Sequence, residues 1–422
     1  ACSMQLGQAH PTFAGVWVID GASVWGRLLI LGGTAVVVLL SPAWLAHDRR
    51  HGEYYAILLF SALGAMALAG AMDLLQLIVA VLLSSVTGYT LAAYHRDWPL
   101  SVEAGMKYFL IGAFANALLV LGVTLIYGLA GSTSFAALEN AFARATDPSP
   151  LLLTGTALVV VGLAFKLGAV PAHSWMPDVA EGAPVPSAAF LTVVPKIGAA
   201  VALARFVSLF PPEAVAVPWL IAILSAATMT LGNLAALWQD DLRRLLGWSS
   251  VSQSGYALMA VCVIGSTALA PQALLFFLFG YAAANLTAFA VVAHLRGRTA
   301  LADYAGLATT RPYLTIALAL SLLSFVGIPP LAGFLGKLTL FLATIEGGYA
   351  WLAIVAVANS VISLFYYLRV VGKAAFAQAG SRPSALGRWT AIATALAAFL
   401  VVAGGLAGDP LLAALARAEL LP

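Results

Sequence analysis

Phe165–Lys196 reads FKLGAVPAHSWMPDVAEGAPVPSAAFLTVVPK, and the fold is decided by how this stretch is read. Apolar helical sequence flanks it, and its interior is built of Pro, Gly, His and acids. A lysine lies inside hydrophobic sequence near each end, at Lys166 and Lys196. A lysine at the centre of a membrane helix costs roughly 2.5 to 3.5 kcal/mol on insertion scales. Two such costs in one stretch require a function that justifies them.

Of the 422 residues, 62% are hydrophobic and 9% are charged. Soluble domains carry about a quarter charged residues and less than half apolar ones, so the composition is that of a membrane protein. A net charge of +3 gives no ground for a nucleic-acid partner. Cys2 and Cys262 lie far apart, the second inside an apolar run, and imply neither a disulfide framework nor a metal site. Residues 1–23 hold no apolar run long enough for a signal peptide.

Twelve apolar stretches can cross about 30 Å of hydrocarbon. They are 24–46, 54–72, 74–94, 104–130, 151–169, 185–209, 217–238, 242–264, 271–295, 313–343, 349–374 and 385–407. The expected fold class is therefore all-α and polytopic, with about twelve transmembrane helices. If the first span runs inward, alternate loops collect thirteen basic residues, among them Arg49, Arg50, Arg96, Lys107, Arg243, Arg244, Arg296 and Arg382. The other side collects Arg27, Arg144 and Arg417. The excess assigns the first set to the cytoplasm. Lys166, Lys196, Arg205 and Lys337 remain within the spans, and Arg205, near a span end, is expected to snorkel to the interface.

Two spans look broken. The fifth carries Lys166 and then meets Gly168 and Pro171, and the tenth places Gly327, Pro329, Pro330, Gly333 and Gly336 ahead of Lys337. Proline removes a backbone donor and clashes with the preceding turn, so each helix should open there. Interrupted helices in corresponding positions point to an inverted repeat with an ion site at its interface. This divides the chain into an N-terminal segment (1–23), a leading helix (24–46), a first five-helix repeat (54–209), a second (217–374) and a C-terminal helix and tail (385–422). The fifth and tenth spans are then equivalent.

The three lysines are the candidate proton-transfer groups. Burial disfavours the charged ammonium, so a lysine in packed protein can load and release a proton. Ser249, Ser252, Gln253 and Tyr256 recur at helical spacing in the eighth span and read as one polar face, either lining a wet path or bonding helix to helix. His173, at the mouth of the first break, is either a structural residue or a proton relay. Asp178 and Glu181 read as helix-capping or interface acids, Asn233 and Asn285 as interhelical hydrogen-bonding groups, and Asp20 as the mark of the first span's beginning. No phosphate loop, nucleophile constellation, haem ligand pair or CxxC cluster is present.

Several blocks resemble the antiporter-like membrane subunits of respiratory complex I, and among them the subunit N group, the counterpart of mitochondrial subunit 2. They are KYFLIGAFANALLVLGVTLIYGLAGSTSF, FKLGAVPAHSWMPDVAEGAPVPSAAF, LGNLAALWQDDLRRLLGWSSVSQSGYALM, RPYLTIALALSLLSFVGIPPLAGFLGKLTLF and NSVISLFYYLRVV. The resemblance runs from about Phe13 to about Val371. It implies fourteen helices with inverted five-helix repeats, the first two helices being absent here. It also implies two half-channels joined by a polar axis, with Lys166 and Lys337 as the lysines of the broken helices and Lys196 as the connecting lysine. NADH, FMN, iron–sulfur clusters and quinone would serve the complex elsewhere, with no cofactor bound by this chain. The partners implied are the other membrane subunits of complex I, in a row of antiporter-like subunits, and the lipid bilayer of a bacterial inner (plasma) membrane. The alternative readings are a subunit of a multi-subunit cation/proton antiporter, which shares the broken-helix lysines, and a membrane subunit of an energy-conserving hydrogenase or a related complex. The sequence departs from the family at two positions: Leu82 aligns where a glutamate faces the first lysine, and Gln253 where histidine is usual. Lys166 is then left to depend on water or an adjacent subunit, and a structural member of the complex with weakened pumping is the alternative.

Overall fold

The computed structural model describes residues 2–144, 149–211, 214, 216–378 and 387–421, without the Arg144 side chain. Arg382 and the first two residues of the expected last span lie outside them. Among the described residues the chain forms seventeen α-helices. They are α1 (Gly21–Trp44), α2 (His51–Ala69), α3 (Leu74–Ala92), α4 (Pro99–Ala130), α5 (Phe135–Arg144), α6 (Pro150–Leu167), α7 (Trp175–Gly182), α8 (Val185–Ser208) and α9 (Ala216–Leu237). There follow α10 (Leu242–Cys262), α11 (Leu269–His294), α12 (Leu307–Thr310), α13 (Pro312–Val326), α14 (Ala332–Glu346), α15 (Ala350–Phe376), α16 (Arg388–Leu406) and α17 (Gly408–Leu415). A short antiparallel ribbon, His10–Thr12 against Trp17–Ile19, is the only pair of β-strands among the described residues.

Ten helices are individually long and apolar enough to cross a membrane: α1, α2, α3, α4, α6, α8, α9, α11, α15 and α16. The two remaining expected spans differ for physical reasons. The stretch 242–264 is α10, rich in Ser, Arg and Gln, and nearly all of it is buried by other helices, so it needs little apolar surface of its own. The stretch 313–343 is divided between α13 and α14, each of 15 residues.

The apolar window of α8 is wholly buried and that of α11 nearly so, whereas α4, α15 and α16 expose most of theirs. The centre of the bundle is therefore α8, α10 and α11, with the other spans around them. Neighbour relations recur along the chain. α2 packs on α3 and α8 as α9 packs on α10 and α15, and α4 packs on α3, α6 and α7 as α11 packs on α10, α13 and α14. α8 meets α6 and α7 as α15 meets α13 and α14.

Both helix breaks end on a left-handed glycine, Gly168 after α6 (φ 68°) and Gly327 after α13 (φ 93°). A side chain there would be strained, and at Gly168 a Cβ would also lie 2.3 Å from Met176 Cε. Backbone freed at membrane depth must find partners within the protein. After α6, Leu167 O accepts from Ser254 Oγ (2.5 Å), Phe165 O from Trp175 Nε1 (3.0 Å), and Val170 N donates to Thr228 Oγ1 (3.1 Å). After α13, Gly333 N donates to Ser324 Oγ (3.1 Å) and Val326 O accepts from Lys337 Nζ (3.2 Å). The two lysines thus occupy opposite sides of their breaks, Lys166 in the last turn of α6 and Lys337 within α14.

Arg205 does not snorkel to the interface: it is wholly buried. Asp20, which caps α1 through Ser23 N (2.8 Å), holds the guanidinium at 2.7 and 3.1 Å. Arg205 Nη1 also donates to Leu421 O, and Leu421 N donates to Asp20 Oδ2 (2.9 Å). Removing one member of a buried pair leaves an uncompensated charge and costs about 3 to 5 kcal/mol. Asp20→Ala should therefore lower the thermal unfolding temperature sharply. The Asp20→Ala, Arg205→Met double variant should recover most of the loss, and equal damage in both would refute this account.

Candidate functional site

The three lysines of the spans are buried inside the bundle, and none forms an ion pair among the described residues. Their partners are neutral oxygens, and the three are satisfied to different degrees.

Lys196, on α8 directly after Pro195, points between α10 and α11. Its ammonium donates to Ser250 O (2.7 Å), Ser250 Oγ (2.8 Å) and Tyr281 OH (3.3 Å). The Tyr281 ring centroid lies 4.7 Å away. An ammonium has three N–H donors, so this one is saturated. Tyr281 is fixed in turn by donating to Thr192 O (2.7 Å) and accepting from Asn285 Nδ2 (2.6 Å). The interhelical role expected of Asn285 is therefore not seen. Its amide bonds one turn back on its own helix, and its Oδ1 is buried without a partner. Asn233 does bridge helices, donating to Asn359 Oδ1 (3.0 Å) and accepting from Tyr366 OH (2.9 Å).

Lys166 has weaker partners, Ser84 Oγ and Tyr108 OH, each at 3.4 Å. Ser84 on α3 and Tyr108 on α4 are the groups that face it. Leu82, two residues earlier on α3, is 41% exposed and turned outward. Asp73 caps α3 through Leu75 N (2.7 Å) and accepts from Thr133 Oγ1 (2.7 Å), a structural role.

Lys337 donates to Val326 O (3.2 Å) and Ser360 Oγ (3.0 Å), with the Tyr256 ring centroid at 4.2 Å. Beside it lies a cavity of about 240 Å³ walled by Gly327, Phe334, Phe341, Ser360 and Leu364. Tyr256 OH bonds Ser360 Oγ (2.9 Å) and Ala356 O (3.0 Å), which brings the sequence candidate Tyr256 to Lys337.

The other members of the polar face divide. Ser249 Oγ bonds Tyr367 OH (2.5 Å), and Gln253 Nε2 reaches Phe325 O (3.5 Å) at the end of α13. Ser252 packs elsewhere, its backbone against Gly232 of α9 and its hydroxyl buried without a partner. His173 Nδ1 also lacks a partner, and its ring lies 5.7 Å from that of Trp248. No hydrogen bond joins His173 to a lysine among the described residues. Among the described residues Asp178 and Glu181 make no helix-capping hydrogen bond. Asp178 joins Lys107 (3.2 Å) and Arg244 (2.7 Å), and Glu181 joins Arg244 (2.6 Å), a network tying α7 to α4 and α10.

Sequence reading missed Ser84, Tyr108, Ser250, Tyr281 and Ser360. A usable signal existed for two of them: Ser250 with Ser254, and Tyr281 with Asn285, each four residues apart on a span and so on one helical face.

The family described as NADH:quinone oxidoreductase/Mrp antiporter, TM matches residues 71–363. The chain belongs to this family. NADH-quinone oxidoreductase subunit N of Mycobacterium sp. (strain JLS) is 44% identical, over 97% of this chain and 87% of that protein. Subunit N 1 of Streptomyces griseus subsp. griseus is 44% identical over 87% and 78%. A chain of respiratory complex I from Thermus thermophilus with bound aureothin superposes with a TM-score of 0.85 at 33% identity, covering 99% of this chain and 91% of that one. A chain of the Mrp complex from Dietzia sp. DQ12-45-1b gives 0.84 at 24% identity, covering 98% and 87%, and that likeness concerns the fold. The family match includes all three lysines and both breaks.

Tyr281→Phe leaves a Lys196 N–H, Asn285 Nδ2 and Thr192 O without that hydroxyl. A buried group so orphaned costs about 1 to 3 kcal/mol. The variant should unfold at a lower temperature than the parent, and an unchanged midpoint would remove Tyr281 from the structural account of Lys196.

Proposed function

We propose that this chain is a proton-translocating, non-redox subunit of an NADH:quinone oxidoreductase. It is built from two inverted five-helix repeats, 54–209 and 217–374. It sits in a bacterial inner membrane beside other antiporter-like subunits, with its Arg-rich face toward the cytoplasm. NADH oxidation and quinone reduction, with their flavin and iron–sulfur groups, belong to other subunits. Lys166, Lys196 and Lys337 carry the proton in this reading.

One observation carries it: three buried ammonium groups whose acceptors are hydroxyls and carbonyls instead of carboxylates. An ammonium paired with a carboxylate is held in its charged form by the attraction between them. One solvated by neutral oxygens gives up its proton without leaving an unpaired anion in the bundle. Ser84, Tyr108, Ser250 and Ser360 have hydroxyls that donate as well as accept, so each can turn as the neighbouring lysine changes state, whereas Tyr281 stays held by Thr192 O and Asn285 Nδ2. Tyr256 and Gln253 lie beside Lys337 and the end of α13, and a largely apolar groove walled by Phe334, Phe341, Val357 and Val361 reaches Lys337 and Ser360 from the outer face of the bundle. His173, Ser249 and Ser252 complete the set of candidate groups.

The structural alternative draws on the same geometry at Lys166, where Ser84 and Tyr108 are the partners while the resemblance implies an acid to switch the lysine. Lys196→Met, in the complex purified with its flavin and iron–sulfur subunits and returned to vesicles, separates the two. Proton uptake per NADH should fall while assembly persists. Normal pumping at normal assembly would support the structural reading, and recovery of the chain with cation-antiporter partners alone would overturn the assignment to an oxidoreductase.

Ser84→Asp sets a carboxylate beside Lys166, which stabilises the ammonium. Turnover-linked proton uptake should slow several-fold, whereas Ser84→Thr, which retains the hydroxyl, should stay near the parent. Equal rates in all three would exclude Lys166 from the path.

A further inference from the structure

Three connections far apart in sequence bring arginines to one cavity of about 460 Å³ at the Lys- and Arg-rich end of the bundle. Arg49 and Arg50 come from the α1–α2 connection, Arg96 from the α3–α4 connection, and Arg296 from just past α11. Two carboxylates, Asp48 and Asp97, share the cavity with these four guanidinium groups. Only Arg50 has an ion pair there, a long one to Asp48 (3.8 Å), and Arg49 and Arg96 have none among the described residues. Gathered positive charge of this kind repels itself, and an oxyanion would offset it.

The wall of the cavity is ordered. Trp44 Nε1 donates to His95 Nε2 (3.1 Å), and the Arg296 guanidinium lies 4.7 Å from the Trp44 ring centroid. Burial holds the His95 imidazole below its usual range, so it orients the tryptophan as a neutral acceptor. Trp44 also meets Trp98 edge-on, ring centroids 6.2 Å apart. These two indoles form part of the wall of a second cavity, of about 330 Å³. Leu100, Val185, Val292 and Leu295 give that cavity apolar walls, beside Asp241 and Arg243. A basic chamber and a largely apolar one therefore share a tryptophan partition at one end of a membrane bundle.

We propose that the paired chambers bind one anionic phospholipid. Its phosphate lies among Arg49, Arg50, Arg96 and Arg296, and part of an acyl chain lies against the apolar walls beyond Trp44 and Trp98. Guanidinium forks match phosphate oxygens two at a time, which lysines do not. Tryptophans favour the depth at which headgroup meets hydrocarbon, and basic pockets between membrane helices on the cytoplasmic side suit anionic headgroups. Free phosphate shares the oxyanion chemistry but would use only the basic chamber.

The test uses the intact complex, stripped of lipid in detergent and exposed to mixed micelles of phosphatidylglycerol and phosphatidylcholine. Co-purifying lipid is counted by mass spectrometry. The parent should retain phosphatidylglycerol in preference to phosphatidylcholine. The Arg49→Gln, Arg96→Gln, Arg296→Gln variant should retain at least about tenfold less, since each basic residue near a membrane surface adds to the attraction for an anionic lipid. Arg417→Gln, at the opposite end, should match the parent, which separates loss of the site from loss of charge in general. Equal retention by parent and triple variant would overturn the proposal. So would complete release of the lipid by tens of millimolar inorganic phosphate, which would assign the chamber to a free oxyanion.

Discussion

An ammonium at membrane depth needs three acceptors, and Lys196 obtains them by drawing α8, α10 and α11 together. Ser250 contributes a hydroxyl and a backbone carbonyl from α10, and Tyr281 a hydroxyl from α11. Two of these helices also approach outer neighbours closely through glycine, α8 against α2 and α10 against α9. A Cβ on Gly198 of α8 would lie 2.2 Å from Ala65 O, and one on Gly255 of α10 would lie 2.5 Å from Met229 Cγ. Lipid gives helices no hydrophobic reason to associate, so close packing and interhelical hydrogen bonds carry the association.

The other lysines relax that constraint in graded steps. Lys337 has two short contacts, an aromatic face and a neighbouring cavity, whereas Lys166 has two long contacts. Each lies near an interruption, but Lys337 takes a carbonyl freed by its break as a direct acceptor, while the break after α6 is closed by Ser254, Trp175 and Thr228. Two halves with matching neighbours therefore meet the same problem of broken backbone with different chemistry. In the second half the charged side chain is part of the repair. In the first it is left to neutral hydroxyls from α3 and α4.

The fold was legible because its signals are local. Apolar runs, the Gly and Pro clusters at 168–171 and 327–336, and the costly lysines can all be read along one strand of text. What the sequence concealed was pairing across it. Nothing near Arg205 indicates that Asp20, 185 residues earlier, will neutralise it, so an interfacial reading was natural for a charge near a span end. Ser84 escaped because alignment directs attention to Leu82, two residues away and so on the opposite face of the helix. Ser252 illustrates the converse: its spacing fits the polar face, but a close approach to Gly232 on α9 governs its place. Helical periodicity shows that residues share a face, and packing decides what that face meets.

The contact between Asp20 and Leu421 carries a consequence for counting. Residues that touch at the rim of a membrane bundle lie on the same side of it, so the chain between them crosses an even number of times. Counting α13 and α14 as separate crossings would give thirteen and set the two residues on opposite faces. Taking them as one interrupted crossing, and admitting the polar α10 as another, gives twelve. A single hydrogen bond between the two ends of the chain thus fixes the parity of the whole topology, which hydropathy leaves open wherever a helix is broken or polar.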